Sequence, residues 1–427
     1  MKNYKARAEK IETRIQELAQ YSDKPDCLSR TFGGKAFVEC QHKIESWMKE
    51  AGLETRIDNA GNVRGRLLSK SPDAKTFLIA SHFDTVVNAG KYDGTLGVLA
   101  GLDIVENLAS QNINLPFHTE LIAFSEEEGV RFHTAYFGSK IVAGSFTASL
   151  RETKDASGIS LEKVLEELNY DTEKLPNDAI KPEQLLGYYE IHIEQGPVLY
   201  NSNIAVGIVS AISGQRRVNI EFTGIAGHAG TVPMKLRTDA LCTAAEFILA
   251  VEEFGLAKKS GVVATVGKIE VLHGASNVIP GKVICSLDLR GGSKKKLIKA
   301  YESLNDICED ICDKRKVYFE WRLVHEASPV TCDENLNKLL KKSIKQEDIE
   351  VVELESGAGH DAVAIAEITP VCMLFVKCFK GISHNPQEKT EQKDIAMALK
   401  VSDNFFQQLS SKAVDSRKVD VGSVGEA

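Results

Sequence analysis

Residues 76–129 read TFLIASHFDTVVNAGKYDGTLGVLAGLDIVENLASQNINLPFHTELIAFSEEEG. Two short apolar runs, TFLIASH and TELIAFS, are the right length for buried strands, and each is followed by polar or glycine-rich chain. Between them the glycine-rich segment 94–109 has the apolar content and length of a helix. Strand, helix, strand in this order predicts an α/β sheet with helices on both faces.

Working outward, residues 2–20 place Ile11, Ile15 and Leu18 on one helical stripe, and Ala36 to Ala51 form a second helix that stops at Gly52. ETRID and NVRGRL are predicted strands, a helix starts at 138–144, and GYYEIHIEQGP (187–197) alternates like a strand. From Gly214 the order changes. VNIEFTG, a helix from Thr238 to Glu253, GVVATVGKIEVLH, GKVICSLDLRG, a helix from Lys294 to Arg315 and KVYFEWRLVHE spell β-α-β-β-α-β, a ferredoxin-like pattern. The expected organisation is an α/β domain with a mainly parallel sheet, in two parts (1–213 and 328–412), interrupted by an inserted ferredoxin-like α+β domain (214–327). Further helix (334–346), strands VVELESG and PVCMLFVK, and a helix from Gln392 to Gln408 complete the first domain, and a flexible tail is expected over 413–427.

The 427 residues, 43% hydrophobic and 26% charged, are ordinary for a globular protein of two or three domains. With 52 Lys and Arg against 60 Asp and Glu the net charge is −8, which argues against a nucleic-acid partner; the one dense basic cluster, Lys294–Lys296, opens a solvated helix. The first twenty residues lack the apolar centre of a secretory signal, and no run approaches the ~20 apolar residues of a membrane span, so a cytoplasmic protein without a membrane partner is expected. Nine cysteines without regular spacing point to a reducing compartment. Cys308 and Cys312 lie four apart on a helix, a spacing that could suit a metal, but no second Cys/His pair accompanies them, and one buried and one half-buried cysteine are expected.

The chemistry lies at strand ends. His82 closes TFLIASH, Glu126–Glu128 follow TELIAFS, His192 lies in YYEIHIEQG, and His384 follows CMLFVKCFKGIS. Ligands of an open α/β sheet bind at the carboxyl ends of its strands, so these distant residues can converge. Hydrolytic metal pairs need imidazoles and carboxylates, one of them bridging, and Asp93 heads the turn eleven residues after His82. Asp84 is expected to hold the His82 imidazole by a hydrogen bond. Three adjacent glutamates could be a solvated loop, but at a crevice they would repel unless a cation balanced them.

SHFDTVVNAGKYDGTLG, AFSEEEGVRF, YEIHIEQGPVL, GQRRVNIEFTGIAGHAGTVPM, ASNVIPG, SGAGHDA and GISHNPQE together resemble the hydantoinase/carbamoylase branch of the M20-type dinuclear metallohydrolases, over roughly residues 25–410. Within that branch the segments look most like plant-type allantoate amidohydrolases. The resemblance implies two divalent ions, zinc or manganese, with Asp93 bridging, His82 and His192 on one ion, and Glu128 and His384 on the other. It makes Glu127 the general base and His228 the group that polarises the scissile carbonyl. Gln195, Gln215, Asn277, Arg290, Gly357 and His360 become substrate-binding positions, with Arg290 taking a substrate carboxylate. It further makes the first domain the metal-binding catalytic domain and the inserted one a lid or dimerisation domain, and implies a homodimer in which His228 or Asn277 acts across the interface. The implied activity is hydrolysis of a non-peptide C–N bond in a ureido group: allantoate to ureidoglycine, which decays to ureidoglycolate, with ammonia and carbon dioxide, in purine catabolism. An N-carbamoyl-L-amino acid hydrolase or β-ureidopropionase is the alternative.

Overall fold

The computed structural model describes residues 3–71, 73–111, 113, 115–257 and 259–422. They form two compact units. The first comprises 1–210, 332–354 and 360–427, and the second comprises 211–331 with 355–359.

The strands, in chain order, are β1 (Glu54–Ile57), β2 (Val63–Leu67), β3 (Thr76–His82), β4 (His118–Phe124), β5 (Leu185–Ile193), β6 (Val206–Ile212), β7 (Gly214–Thr223), β8 (Gly227–His228), β9 (Val263–Leu272), β10 (Val278–Ile279), β11 (Lys282–Gly291), β12 (Tyr318–Ala327), β13 (Val330–Thr331), β14 (Glu353–Ser356) and β15 (Val371–Val376). The large sheet runs β1-β2-β4-β3-β5-β15-β6-β13, with β14 also paired to β6. Its centre, β4-β3-β5-β15, is parallel. The flanks are antiparallel: β1 and β2 form a hairpin, β2 runs against β4, and β6 runs against β15. The tight turn Asp58–Asn62 accounts for one flank, because so short a connection can only return the chain antiparallel. Strands β3, β4 and β15 are buried along their whole length, as strands covered on both faces must be.

The helix Thr95–Ser110 is buried through Thr95–Val105 and packs on β3 and β5. Two glycines permit this. Gly94, at φ +62°, carries the chain from Asp93 into the helix with no Cβ to strike the His82 ring, and a Cβ on Gly97 would fall on the Ile191 carbonyl and 2.6 Å from Ser81 Cβ. The N-terminal helix Tyr4–Leu18 packs against this helix and against the C-terminal helix Gln392–Gly422.

In the second unit the four-stranded antiparallel sheet has the order β12-β7-β11-β9, with helices Ala240–Leu256 and Lys294–Arg315 packed on it. This is the ferredoxin-like arrangement. Its own core includes Cys285, Cys308 and Cys312.

Several elements differ from the sequence reading. Strand β6 lies outside the sequence reading; turn residues Asn201–Asn203 and Ser213–Gly214 flank its run VGIVSAI, but the run itself does not alternate cleanly. The paired β8 and β10 are only two residues each, too short for periodicity to reveal. The terminal helix does not stop at Gln408; its backbone is helical to Gly422, so the tail expected from 413 begins as helix, and 423–427 lie outside the described residues. No helix among the described residues is long and apolar enough to cross a membrane.

Candidate metal centre

Because β4, β3, β5 and β15 are parallel, their carboxyl ends share one edge of the first unit. His82 ends β3, and His192 lies two residues beyond Glu190, which pairs with Ala80, so the two imidazoles project side by side from adjacent strands. Glu126–Glu128 follow β4 and His384 lies in the loop after β15. Asp93 enters from the turn that opens the buried helix.

The side chains converge on Asp93. Its Oδ1 faces His192 Nε2 at 3.2 Å and His82 Nε2 at 3.6 Å, while Oδ2 faces His384 Nε2 at 3.0 Å. His384 Nε2 also lies 3.4 Å from Glu128 Oε1. The ligand atoms of His82, Asp93 and His192 fall within 4.8 Å of one another, as do those of Asp93, Glu128 and His384, so one carboxylate is shared by two groups. His82, Glu127 and Glu128 form a further such group.

A test of fit comes from the hydrogen bonds. The Nδ1 atoms of His82 and His192 point at backbone carbonyls, of Asp84 (3.2 Å) and Ile193 (3.0 Å). Each Nδ1 therefore carries a proton in the neutral ring, and both Nε2 lone pairs turn inward, 3.4 Å from each other. Two facing lone pairs beside a buried carboxylate oxygen, Asp93 Oδ1, that accepts no hydrogen bond form an arrangement that a divalent cation satisfies. The donor set of imidazoles and carboxylates suits zinc or manganese alike.

Although burial opposes it, Glu127 and Asp93 raise the His82 imidazole, and Asp93 the His192 imidazole, above the ordinary range, a demand for positive charge at this point that a cation would meet. Against the cost of burial, the surrounding His192, His384 and His82 hold Asp93 well below the usual carboxylate range. Hydrogen bonds to Asp93 and Glu128 push His384 up to about 10. Burial drives Glu127 well above its ordinary value, although His82 pulls the other way. His360 is buried edge-on to the His192 ring, centroids 4.5 Å apart, and burial plus its imidazole neighbours keep it neutral.

One sequence expectation changes. Asp84 does not hold His82 through its carboxylate, which stays 3.7 Å from Nδ1; the backbone carbonyl makes that bond. The carboxylate instead accepts the amides of Glu127 (3.1 Å) and Glu128 (3.2 Å), so it fixes the turn that presents both glutamates. That turn is not a solvated loop: Glu126 and Glu127 are buried and Glu128 is only partly exposed. Gln195, expected to line a substrate pocket, donates from Nε2 to Asp93 Oδ2 at 3.0 Å.

The remaining candidates lie in the second unit, apart from His360. His228 and Asn277 are brought together, since β8 pairs His228 with Val278 and Ala229 N donates to Asn277 O. His228 Nδ1 accepts from Gly230 N at 3.0 Å, which leaves the proton on Nε2 of an exposed ring. Gln215 and Arg290 are also neighbours, paired across β7 and β11 and both bonded to Asp288: Gln215 Nε2 at 2.6 Å, Arg290 Nε at 3.0 Å and Nη2 at 3.3 Å. Arg290 Nη1 donates to the Gly357 carbonyl at 2.8 Å. The guanidinium fork expected for a substrate carboxylate is thus engaged by Asp288, and this residue escaped sequence reasoning although SLDLRG places it one strand repeat before Arg290.

The chain is 39% identical to allantoate deiminase 1 of Glycine max, over 93% of this chain and 88% of that one. It is 36% identical to an N-carbamoyl-L-amino acid amidohydrolase of Geobacillus stearothermophilus, over 94% and 98%. A solved hydantoinase/carbamoylase family amidase from Burkholderia multivorans superposes with a TM-score of 0.87 at 30% identity, covering 93% of this chain and 97% of that chain. The model of peptidase family M20/M25/M40, a metal-dependent family, matches residues 78–408, and the chain belongs to that family.

Proposed function

We propose that this protein is an amidohydrolase that cleaves a ureido group of allantoate, releasing ureidoglycine, ammonia and carbon dioxide. The observation that carries the reading is the end-to-end similarity to allantoate deiminases together with an Asp93-centred cluster that has the donors for two divalent ions. Zinc or manganese bound there supplies Lewis-acid polarisation of the ureido carbonyl and a water acidified enough to attack near neutral pH.

The chain's own residues do the rest. His82, His192, Glu128 and His384 would hold the ions, with Asp93 shared by both sets. Glu127 takes the proton of the attacking water and returns it to the leaving nitrogen. His228, with its proton on Nε2, stabilises the oxyanion as it develops. Arg290 exchanges Asp288 for the substrate carboxylate, assisted by Gln215 and Asn277. Replacing Arg290 by Lys keeps the charge and loses the planar fork, so KM is expected to rise about 10–100-fold with kcat changed only a few-fold. Equal falls in kcat and kcat/KM would remove Arg290 from substrate binding.

A carbamoyl amino acid as substrate is the second reading, favoured by the 36% identity over 98% of the N-carbamoyl-L-amino acid amidohydrolase. The deciding assay is ammonia release by metal-loaded protein offered allantoate, N-carbamoyl-β-alanine, N-carbamoyl-L-amino acids and a dipeptide in parallel. Preference for a carbamoyl amino acid keeps the mechanism and replaces the substrate; preference for the dipeptide overturns both.

The reading includes a homodimer formed through the second unit, supported by the unpaired edges of β9 and β12. Sedimentation is expected at twice the chain mass, and a monomer that is fully active would exclude it. A reducing, cytoplasmic setting accords with nine cysteines that are all free.

A further inference from the structure

We infer that Glu388 is a positioning residue that locks together the two chain segments carrying Asp93 and His384. The inference rests on the reading of these residues as metal ligands and adds to it a residue that touches neither ligand's side chain.

Glu388 is only 4% exposed. Its carboxylate is spent on neutral donors from two distant segments. Oε1 accepts the backbone amides of Tyr92 (2.8 Å) and Asp93 (3.0 Å), and Oε2 accepts the Ser383 hydroxyl (2.8 Å). Ser383 Oγ lies in turn 3.4 Å from Asp93 Oδ2, the oxygen that faces His384. One side chain therefore fixes the peptide of Asp93 directly and fixes the residue before His384 through a hydroxyl.

The local chain is shaped for this. Beyond His384, which sits at a positive φ of 52°, a turn closed by Glu388 N on Asn385 O brings Glu388 back beneath the loop. On the opposite side stands Gly90, where any Cβ would fall on the Glu388 carboxylate. His384 needs such support. Its side chain is 49% exposed, unlike the buried His82 and His192, which rigid strands deliver, and no strand holds it. A ligand on an exposed loop loses affinity when its orientation is free, because ordering it then costs binding energy.

The test uses the full chain stripped of metal and titrated with zinc against a chromophoric chelator, in wild type, E388A, E388Q and S383A. E388A is expected to weaken the binding step that depends on His384 about 10–100-fold, and the other step, which shares Asp93 but keeps two strand-borne imidazoles, by a smaller factor. E388Q keeps an Oε1 acceptor for both amides and offers its amide to a reoriented Ser383 hydroxyl, so it should recover most of that loss. S383A, which leaves both amide bonds in place, should weaken the same step by a smaller factor. Urea unfolding of the stripped proteins separates positioning from general stability, since positioning leaves the stripped midpoints alike. Zinc binding by E388A within threefold of wild type in both steps overturns the proposal, as does a loss of affinity that merely follows a loss of stability. If E388A does not fold, unchanged zinc affinity in S383A overturns it. Wild type that takes up no zinc or manganese defeats the metal reading instead.

Discussion

Glu127→Gln is expected to lower kcat about 10²–10⁴-fold and leave metal content unchanged. General-base catalysis contributes a factor of this size, equal to roughly 3–5.5 kcal/mol of transition-state stabilisation. The substitution isolates the proton-accepting role. Glutamine has the same shape, and the turn that presents position 127 is fixed from outside, by Asp84 accepting the amides of Glu127 and Glu128. The backbone should not move. Burial pushes the Glu127 carboxyl well above its usual range, so its basic form disappears as pH falls through that raised value, and kcat/KM of the wild type falls on the acid side. In E127Q that limb should vanish and the residual activity should not depend on it. Metal analysis and a pH profile check both points. Activity within tenfold of wild type, with the acid limb intact, would assign the base elsewhere, and the neighbouring buried Glu126 is then the next candidate.

What could be read from sequence follows from the physics of each element. His82, Glu127, Glu128, His192 and His384 were legible because apolar runs such as TFLIASH and PVCMLFVK mark buried parallel strands, and such a sheet gathers its strand ends at one edge. The β-α-β-β-α-β module was legible for a similar reason: its strands alternate and its helices are long. Interactions that depend on direction were not legible. Sequence places Asp84 near His82 but cannot tell carbonyl from carboxylate, and here the two serve different partners. Glu388 sits in a loop without periodicity, and only coordinates show that its acceptors meet amides 295 and 296 positions away. The engagement of Arg290 by Asp288 is likewise a matter of side-chain rotamers.

Asp93→Ala should abolish binding of both ions, whereas His384→Ala should spare one. The contrast follows from sharing: His384 belongs to one of the two groups centred on Asp93, but Asp93 belongs to both. Removing it also takes away the carboxylate that faces both His82 Nε2 and His192 Nε2, so two imidazole nitrogens 3.4 Å apart lose the anion they share, which would offset a cation's charge. Asparagine would be a less clean probe, because its amide can donate to the same nitrogens and hold the rings in place without supplying charge. Metal content after dialysis, measured alongside circular dichroism to show that the chain is folded, distinguishes the outcomes. About one ion retained in H384A and none in D93A is the expected pattern, with turnover lost in both. Two ions retained by D93A would mean that the histidines and Glu128 suffice, and Asp93 would then be an orienting acceptor for imidazole N–H groups instead of the bridge.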